Sequence, residues 1–193
     1  VIKSVRLGAT TFEHNRYNNR FYDDVIQMVA KAGAYWVDTT TMWGGTYLFF
    51  REEPERMYDP KLRSFTPEWK FREIWGESLS SRWKLPMTII HGFMQPQLVG
   101  IKKAHRQGSR LLMGTDAPLS WLYFGWTLHW EMEFLAKAGI KPLDILQIAT
   151  QRAAEAVGAE DHLGTLEHGK LADIVLLDKN PLENIKNTQS IWR

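Results

Sequence analysis

Three short runs rich in apolar and β-branched residues, each followed by a stretch with helical spacing, constrain this chain more than any other feature. The first, within VRLGATTFE (5–13), reads as a helix end, a glycine stop and a strand. FYDDVIQMVAK (21–31) follows it, with apolar residues at 21, 25, 26, 28 and 29 and Gly33 as the stop. The second run, at 35–41, is aromatic and β-branched and predicts another strand. The third, at 110–114, lies between QLVGIKKAHRQ (97–107), a helix ended by Gly108, and a helix over 127–137 that stops at Gly139. A last helix is predicted over 142–157, with Pro142 at its first position and residues 145, 146, 149, 153 and 157 on one face. Strand and helix alternating in this way argue for an α/β fold, a parallel sheet with crossover helices.

Two segments break the alternation. Residues 43–94, with Pro54, Pro60, Pro67 and Pro86, read as a long irregular insertion, and loops of that length are usually functional. The tail GTLEHGKLADIVLLDKNPL reads as a hairpin-like pair of strands turning at His168-Gly169, a separate small β element. Nine Trp residues suit core filling or a pocket and partner surface, and the sequence leaves both open. A formal charge of +2 points to neither nucleic acid nor an anionic membrane. No apolar run reaches the roughly 18 residues of a membrane span. With no cysteine, a transition-metal site has to come from His, Asp and Glu, and there is no disulfide framework.

In parallel α/β folds reactive groups gather beyond the carboxyl ends of the strands. His14 stands just past the first strand and Asp116, in LLMGTDAP, just past the third, so both are expected on one rim with a single strand between them. Spacing alone also suits plainer roles. An Asp before Ala-Pro fits a turn, and a rim His fits a structural hydrogen bond.

The segments GATTFEHNRYNNRFYDDVIQMVAKAG, LLMGTDAP, HWEMEFLAKAGIKPLDILQIATQRAAEAVG and LGTLEHGKLADIVLLDKNPLENI together resemble the amidohydrolase superfamily, most closely its imidazolonepropionase- and prolidase-like branch. The resemblance implies the C-terminal part of a (β/α)8 TIM-type barrel, about strands six to eight, over residues 1–158, with 159–193 as C-terminal strands of a small β-sandwich. It implies a divalent metal, zinc by expectation. His14 would be a metal ligand, and Asp116 would touch the metal and take the proton of the attacking water. The reaction implied is hydrolysis of a C–N bond in a small amide, cyclic amide or peptide-like substrate.

The chain departs from the family in having no His-x-His pair and only three candidate barrel strands, where a whole barrel takes roughly 250 residues. The expectation is therefore a fragment, or half of a split barrel, inactive unless a complementing N-terminal half or an oligomer supplies the rest. A different class of reading is a non-catalytic interaction module that uses the aromatic insertion as its surface. Among the other histidines, His129 is a candidate for substrate contact and His91 for the rim. His105 is expected to be solvated, and His162 and His168 are assigned no role. Glu131 and Glu133 are expected to be solvated near their helix N-terminus, and Lys170 and Asp173 to be structural.

Overall fold

The computed structural model describes residues 1–14, 22–78, 85–117, 119 and 121–192. Helix α1 (Ile2–Arg6) gives way at Gly8, whose φ of 82° turns the chain into strand β1 (Thr11–Glu13). Helix α2 (Asp23–Lys31) has acidic residues in its first turn and Lys31 in its last, which suits the helix dipole. Strand β2 (Tyr35–Asp38) and, much later, β3 (Arg110–Met113) complete a parallel sheet of order β1-β2-β3. Phe12 lies level with Trp36 and Leu111, and Asp38 with Met113. The alternation of strand and helix expected from the sequence is therefore present.

Strand β2 ends three residues before the β-branched run does. The N–H groups of Thr40 and Thr41 go to the carboxylate of Glu131, not to a neighbouring strand. The chain then enters a wide π-type turn, Thr41–Gly45, kinked at Gly44 (φ 145°).

The 43–94 stretch is helical, not irregular. It holds α3 (Thr46–Glu52), a 3-10 turn (Pro54–Tyr58), α4 (Pro60–Phe65), α5 (Glu68–Ser78) and the start of α6 (Met87–Arg106). Prolines sit at the first positions of several of these, where no amide hydrogen is needed. Helix α6 begins ten residues earlier than expected, because Ile90, Met94, Gln97, Ile101 and Ala104 make one continuous buried stripe. His91 lies in this helix beside Glu52, not at a strand end.

Helix α7 (Trp126–Lys137) follows β3, and α8 (Pro142–Ala149) and α9 (Gln151–Ala156) replace the single helix expected over 142–157. The break falls at Thr150 (φ −124°, ψ −82°), whose hydroxyl donates to the Leu146 carbonyl. The tail turns at Gly169 as expected, yet its two runs form no ladder with each other. Among the described residues the tail has one isolated antiparallel bridge, Leu177 to Ile191, and Ile174, Val175 and Leu176 are exposed. Strand-forming residues become a strand only when a second backbone lies alongside, and among the described residues backbone partners meet only the ends of the run, the Leu171 N–H donating to the His162 carbonyl and the Trp192 N–H to the Leu176 carbonyl.

Two cores result. One packs the sheet against α2, α6, α7 and α8 through Ile26, Trp36, Ile101, Leu111, Leu135 and Ile145. The other is aromatic and joins the insertion to α7 through Phe49, Phe50, Phe71, Tyr123, Trp130 and Phe134. Each fully buried side chain of this size stabilises the fold by about 1.5–3 kcal/mol. Helix α7 belongs to both cores and is buried on nearly every side.

Gly45 marks where the turn after β2 presses on α7. A Cβ there would lie 2.7 Å from Cζ of Phe134, whereas a Cβ on Gly76, inside α5, meets nothing within 4 Å. Gly45→Ala is expected to lower the unfolding free energy by about 1–3 kcal/mol through overpacking. Gly76→Ala should raise it by about 0.5–1 kcal/mol through helix propensity. Urea titration of both variants checks the pair, and equal effects would contradict the packing described.

Candidate functional site at the strand ends

The parallel register places the residue after β1, the turn after β2 and the loop after β3 on one edge of the sheet. His14 and Asp116 both lie there, with β2 between their strands. Among the described residues they are the two non-glycine positions at positive φ, 66° and 57°. That region is sparsely populated, though Asp and His tolerate it better than most, and such residues concentrate at functional sites.

His14 is half-buried. Its Nδ1 lies 3.0 Å from the Thr39 hydroxyl, and its ring meets Trp43 edge-on, with centroids 6.3 Å apart. Asp116 is exposed in a short turn in which the Ala117 N–H donates to the Thr115 hydroxyl. The Nε1–H of Trp121 donates to the Met42 carbonyl, so the loops after β2 and β3 are tied together.

Beneath this rim is a polar cluster that pattern reading overlooked. Asp38 and Glu131 are both fully buried. Glu131 accepts from the Thr40 N–H at 2.8 Å, the Thr41 N–H at 2.9 Å and the Thr41 hydroxyl at 2.6 Å. The Thr40 hydroxyl donates to Asp38 at 2.9 Å. The two carboxyl groups are close enough to hydrogen-bond when one of them carries a proton. Burial, and then the charge of Asp38, push Glu131 well above the usual carboxylate range, against the pull of its bonds from Thr41.

Glu133 is buried too, 2% exposed, and receives both guanidinium nitrogens of Arg56 at 2.8 Å together with the Gln189 amide. The expectation that Glu131 and Glu133 are solvated is thus corrected. Helix α7 has no polar face to offer them, and Trp126, Leu128, Trp130, Met132 and Phe134 along the sequence already carry that signal. Asp38 and the three threonines after it gave no comparable signal, because their partner lies about ninety positions away.

His129 is not brought to His14 and Asp116. Its Nδ1 lies 3.0 Å from the Thr188 hydroxyl, and its ring lines an apolar cavity of about 560 Å³ between α7, α8 and the tail. Burial lowers it below the ordinary imidazole value, with Glu133 pulling the other way. His105 pairs with Asp144 on the outer side of α6, and Lys170 with Thr165 and Glu167 in the tail turn.

His14 and Asp116 offer one nitrogen and one carboxylate donor of the kinds a divalent ion takes. Among the described residues no set of three His, Asp or Glu side chains stands together. A catalytic zinc takes about three protein ligands, so the described residues alone do not fit a complete metal centre.

Residues 62–191 match the amidohydrolase family, and the chain belongs to it. It is 36% identical over 189 residues to the ochratoxinase of Aspergillus niger, which covers 96% of this chain and 32% of the relative. The chain thus spans about a third of the length of the curated relatives it matches. Phenylurea hydrolase B shares its fold with a TM-score of 0.67 at 20% identity, covering 99% of this chain and 38% of that one. A Xaa-Pro dipeptidase crystallised with bound methionine does so at 0.65 and 19%, covering 98% and 39%.

The buried carboxyl pair has a pH signature. Below the ordinary value of 4.5, Glu131 is protonated in folded and unfolded chains alike. As pH rises past that value the unfolded chain releases its proton while the folded one keeps it, so stability falls until the raised folded value is passed. Glu131→Gln removes this contribution. The stability of the native chain relative to that variant is expected to decline by about 1.4 kcal/mol per pH unit above pH ~5. A difference between their urea-unfolding free energies that does not change with pH would contradict the shared proton.

Proposed function

We propose that this chain is part of a hydrolase of amide bonds in small amide, cyclic amide or peptide-like substrates, and that His14 and Asp116 are its contribution to the reaction centre. The observation that carries the reading is the register: both residues leave the same edge of one parallel sheet, each in an uncommon backbone conformation. Neighbouring strands lie about 4.8 Å apart, so two spacings separate β1 from β3. In this reading the imidazole and the carboxylate would face a common point across that gap. Membership of the amidohydrolase family supports the same chemistry.

In this reading Asp116 is the proton acceptor, exposed and held at the rim, and His14 is a ligand for a divalent ion, zinc first among the candidates. The remaining ligands come from outside the described residues, supplied by a complementing N-terminal half or a second subunit. The three strands are then the sixth to eighth of a TIM-type barrel over 1–158, and 159–193 are strands of a small sandwich whose partners the same complement provides. The run 171–176 supports that arrangement, since it forms no strand and its Leu171, Ile174, Val175 and Leu176 are exposed. His129 would contact substrate only indirectly, from the tail cavity. The interaction-module reading is weakened, because the insertion's Tyr47, Phe49, Phe50 and Phe71 fill a core and only Tyr58, Phe65, Trp69 and Phe93 among its described aromatic residues stay exposed.

Asp116→Asn tests the proposal. In the assembly that binds metal and turns over dipeptides or cyclic amides, the variant should lose turnover by about 10²–10⁴-fold with its unfolding temperature unchanged. Full activity in the variant, or no turnover by any complemented assembly, would remove the hydrolase assignment. The chain alone is expected to bind no stoichiometric zinc in a dialysis experiment read by metal analysis.

A further inference from the structure

Helix α7 meets the turn after β2 through the carboxyl group of Glu131, whose partners Thr40 and Thr41 directly follow the Thr39 that touches His14. We propose that Glu131 is a positioning residue for His14, acting through the 38–41 turn and the hydroxyl of Thr39. The inference rests on the reading of His14 as a site residue and names what sets its ring.

The path is continuous. The two oxygens of Glu131 hold the N–H groups of Thr40 and Thr41 and the Thr41 hydroxyl, all from 2.6 to 2.9 Å. Asp38, level with Met113 in the sheet, is bonded both to Glu131 and to the Thr40 hydroxyl. The turn is therefore clamped at its start and at its end, with Thr39 between. Thr39 is buried, and its Oγ1 sits 3.0 Å from Nδ1 of His14.

Occupying Nδ1 decides what the other nitrogen can do. When Nδ1–H donates to the Thr39 hydroxyl, Nε2 keeps its lone pair and is free to accept a proton or bind an ion. Groups that fix a histidine tautomer from behind in this manner are a general feature of metal and acid–base sites. Here the restraint passes from α7 to the turn after β2 and on to the residue that follows β1. A carboxyl group suits the central position because it can accept two backbone N–H groups at once while bonding a second carboxyl. That needs one shared proton, and the full burial of both carboxyl groups favours it.

The test reads the imidazole directly, in the full chain labelled with ¹⁵N at its six histidines. His14 resonances are assigned by loss in His14→Gln. The native chain is expected to show a protonated Nδ1 and a pyridine-type Nε2. Thr39→Val should abolish that signature, giving a mixture of tautomers, and Glu131→Ala should do the same without touching the ring. The double variant should show no further change beyond Thr39→Val alone, since both act on one path.

A folded Glu131→Ala chain with the native His14 signature would overturn the proposal, as would a native signature in Thr39→Val or additive changes in the double variant. If Glu131→Ala does not fold, Glu131→Gln replaces it. That variant retains the bond to Asp38 but loses one of the two acceptors, so partial loss of the signature supports the proposal and full retention overturns it. The measurement uses neither metal nor substrate. Its failure leaves the hydrolase reading standing, and failure of the turnover experiment leaves this result intact.

Discussion

A carboxyl group in the middle of an apolar helix is costly to bury, and the structure around Glu131 is largely the means by which that cost is offset. An unpaired polar group at this depth would destabilise the fold by several kcal/mol. The backbone after β2 turns so that two consecutive amides face the carboxyl, which ends the strand, opens the π-type turn and brings the Thr39 hydroxyl to His14. Satisfying one buried side chain thereby sets the geometry of the rim.

The same helix solves a second problem in a similar way. Glu133, two positions on, faces the other direction and is met by Arg56 from the insertion and Gln189 from the tail. Burial works against the charge on Arg56, yet Glu133 and Glu53 together hold its affinity for the proton above the ordinary guanidinium value. Phe49 receives the flat face of the same guanidinium, 4.2 Å from its centroid. Insertion, central helix and tail are thus joined at one buried ion pair, and removing either partner would leave the other charged and enclosed.

The insertion is best understood through that helix. Many of its aromatic residues face inward, while Tyr58, Phe65, Trp69 and Phe93 are exposed. Phe49 packs against Phe134 at 4.6 Å, and Phe50 and Tyr123 meet Trp130 edge-on. The buried Lys70 bonds the Leu119 carbonyl, anchoring the loop that carries Asp116 from below. By contrast the tail is only partly enclosed, with Leu166, Leu171 and Val175 exposed beside the cavity that His129 lines. One side of the molecule has a finished core and the other presents apolar side chains without a covering layer among the described residues.

Much of this was legible along the chain. The three strands, their helices and the positions of His14 and Asp116 just beyond strand ends follow from local periodicity and glycine stops, because strand and helix patterning is written in neighbouring residues. The helical nature of the insertion was not legible, since its prolines and scattered charges mimic a loop until its aromatic rings find a common partner. Nor was the split at Thr150, which depends on a hydroxyl turning back to Leu146. By itself the sequence determined the alternation of elements and the rim on which His14 and Asp116 emerge. Only the tertiary structure decided which carboxyls are buried and what holds His14, because the contacts that settle both join residues from 25 to 91 positions apart, and a buried acid can be recognised only once everything around it is in place.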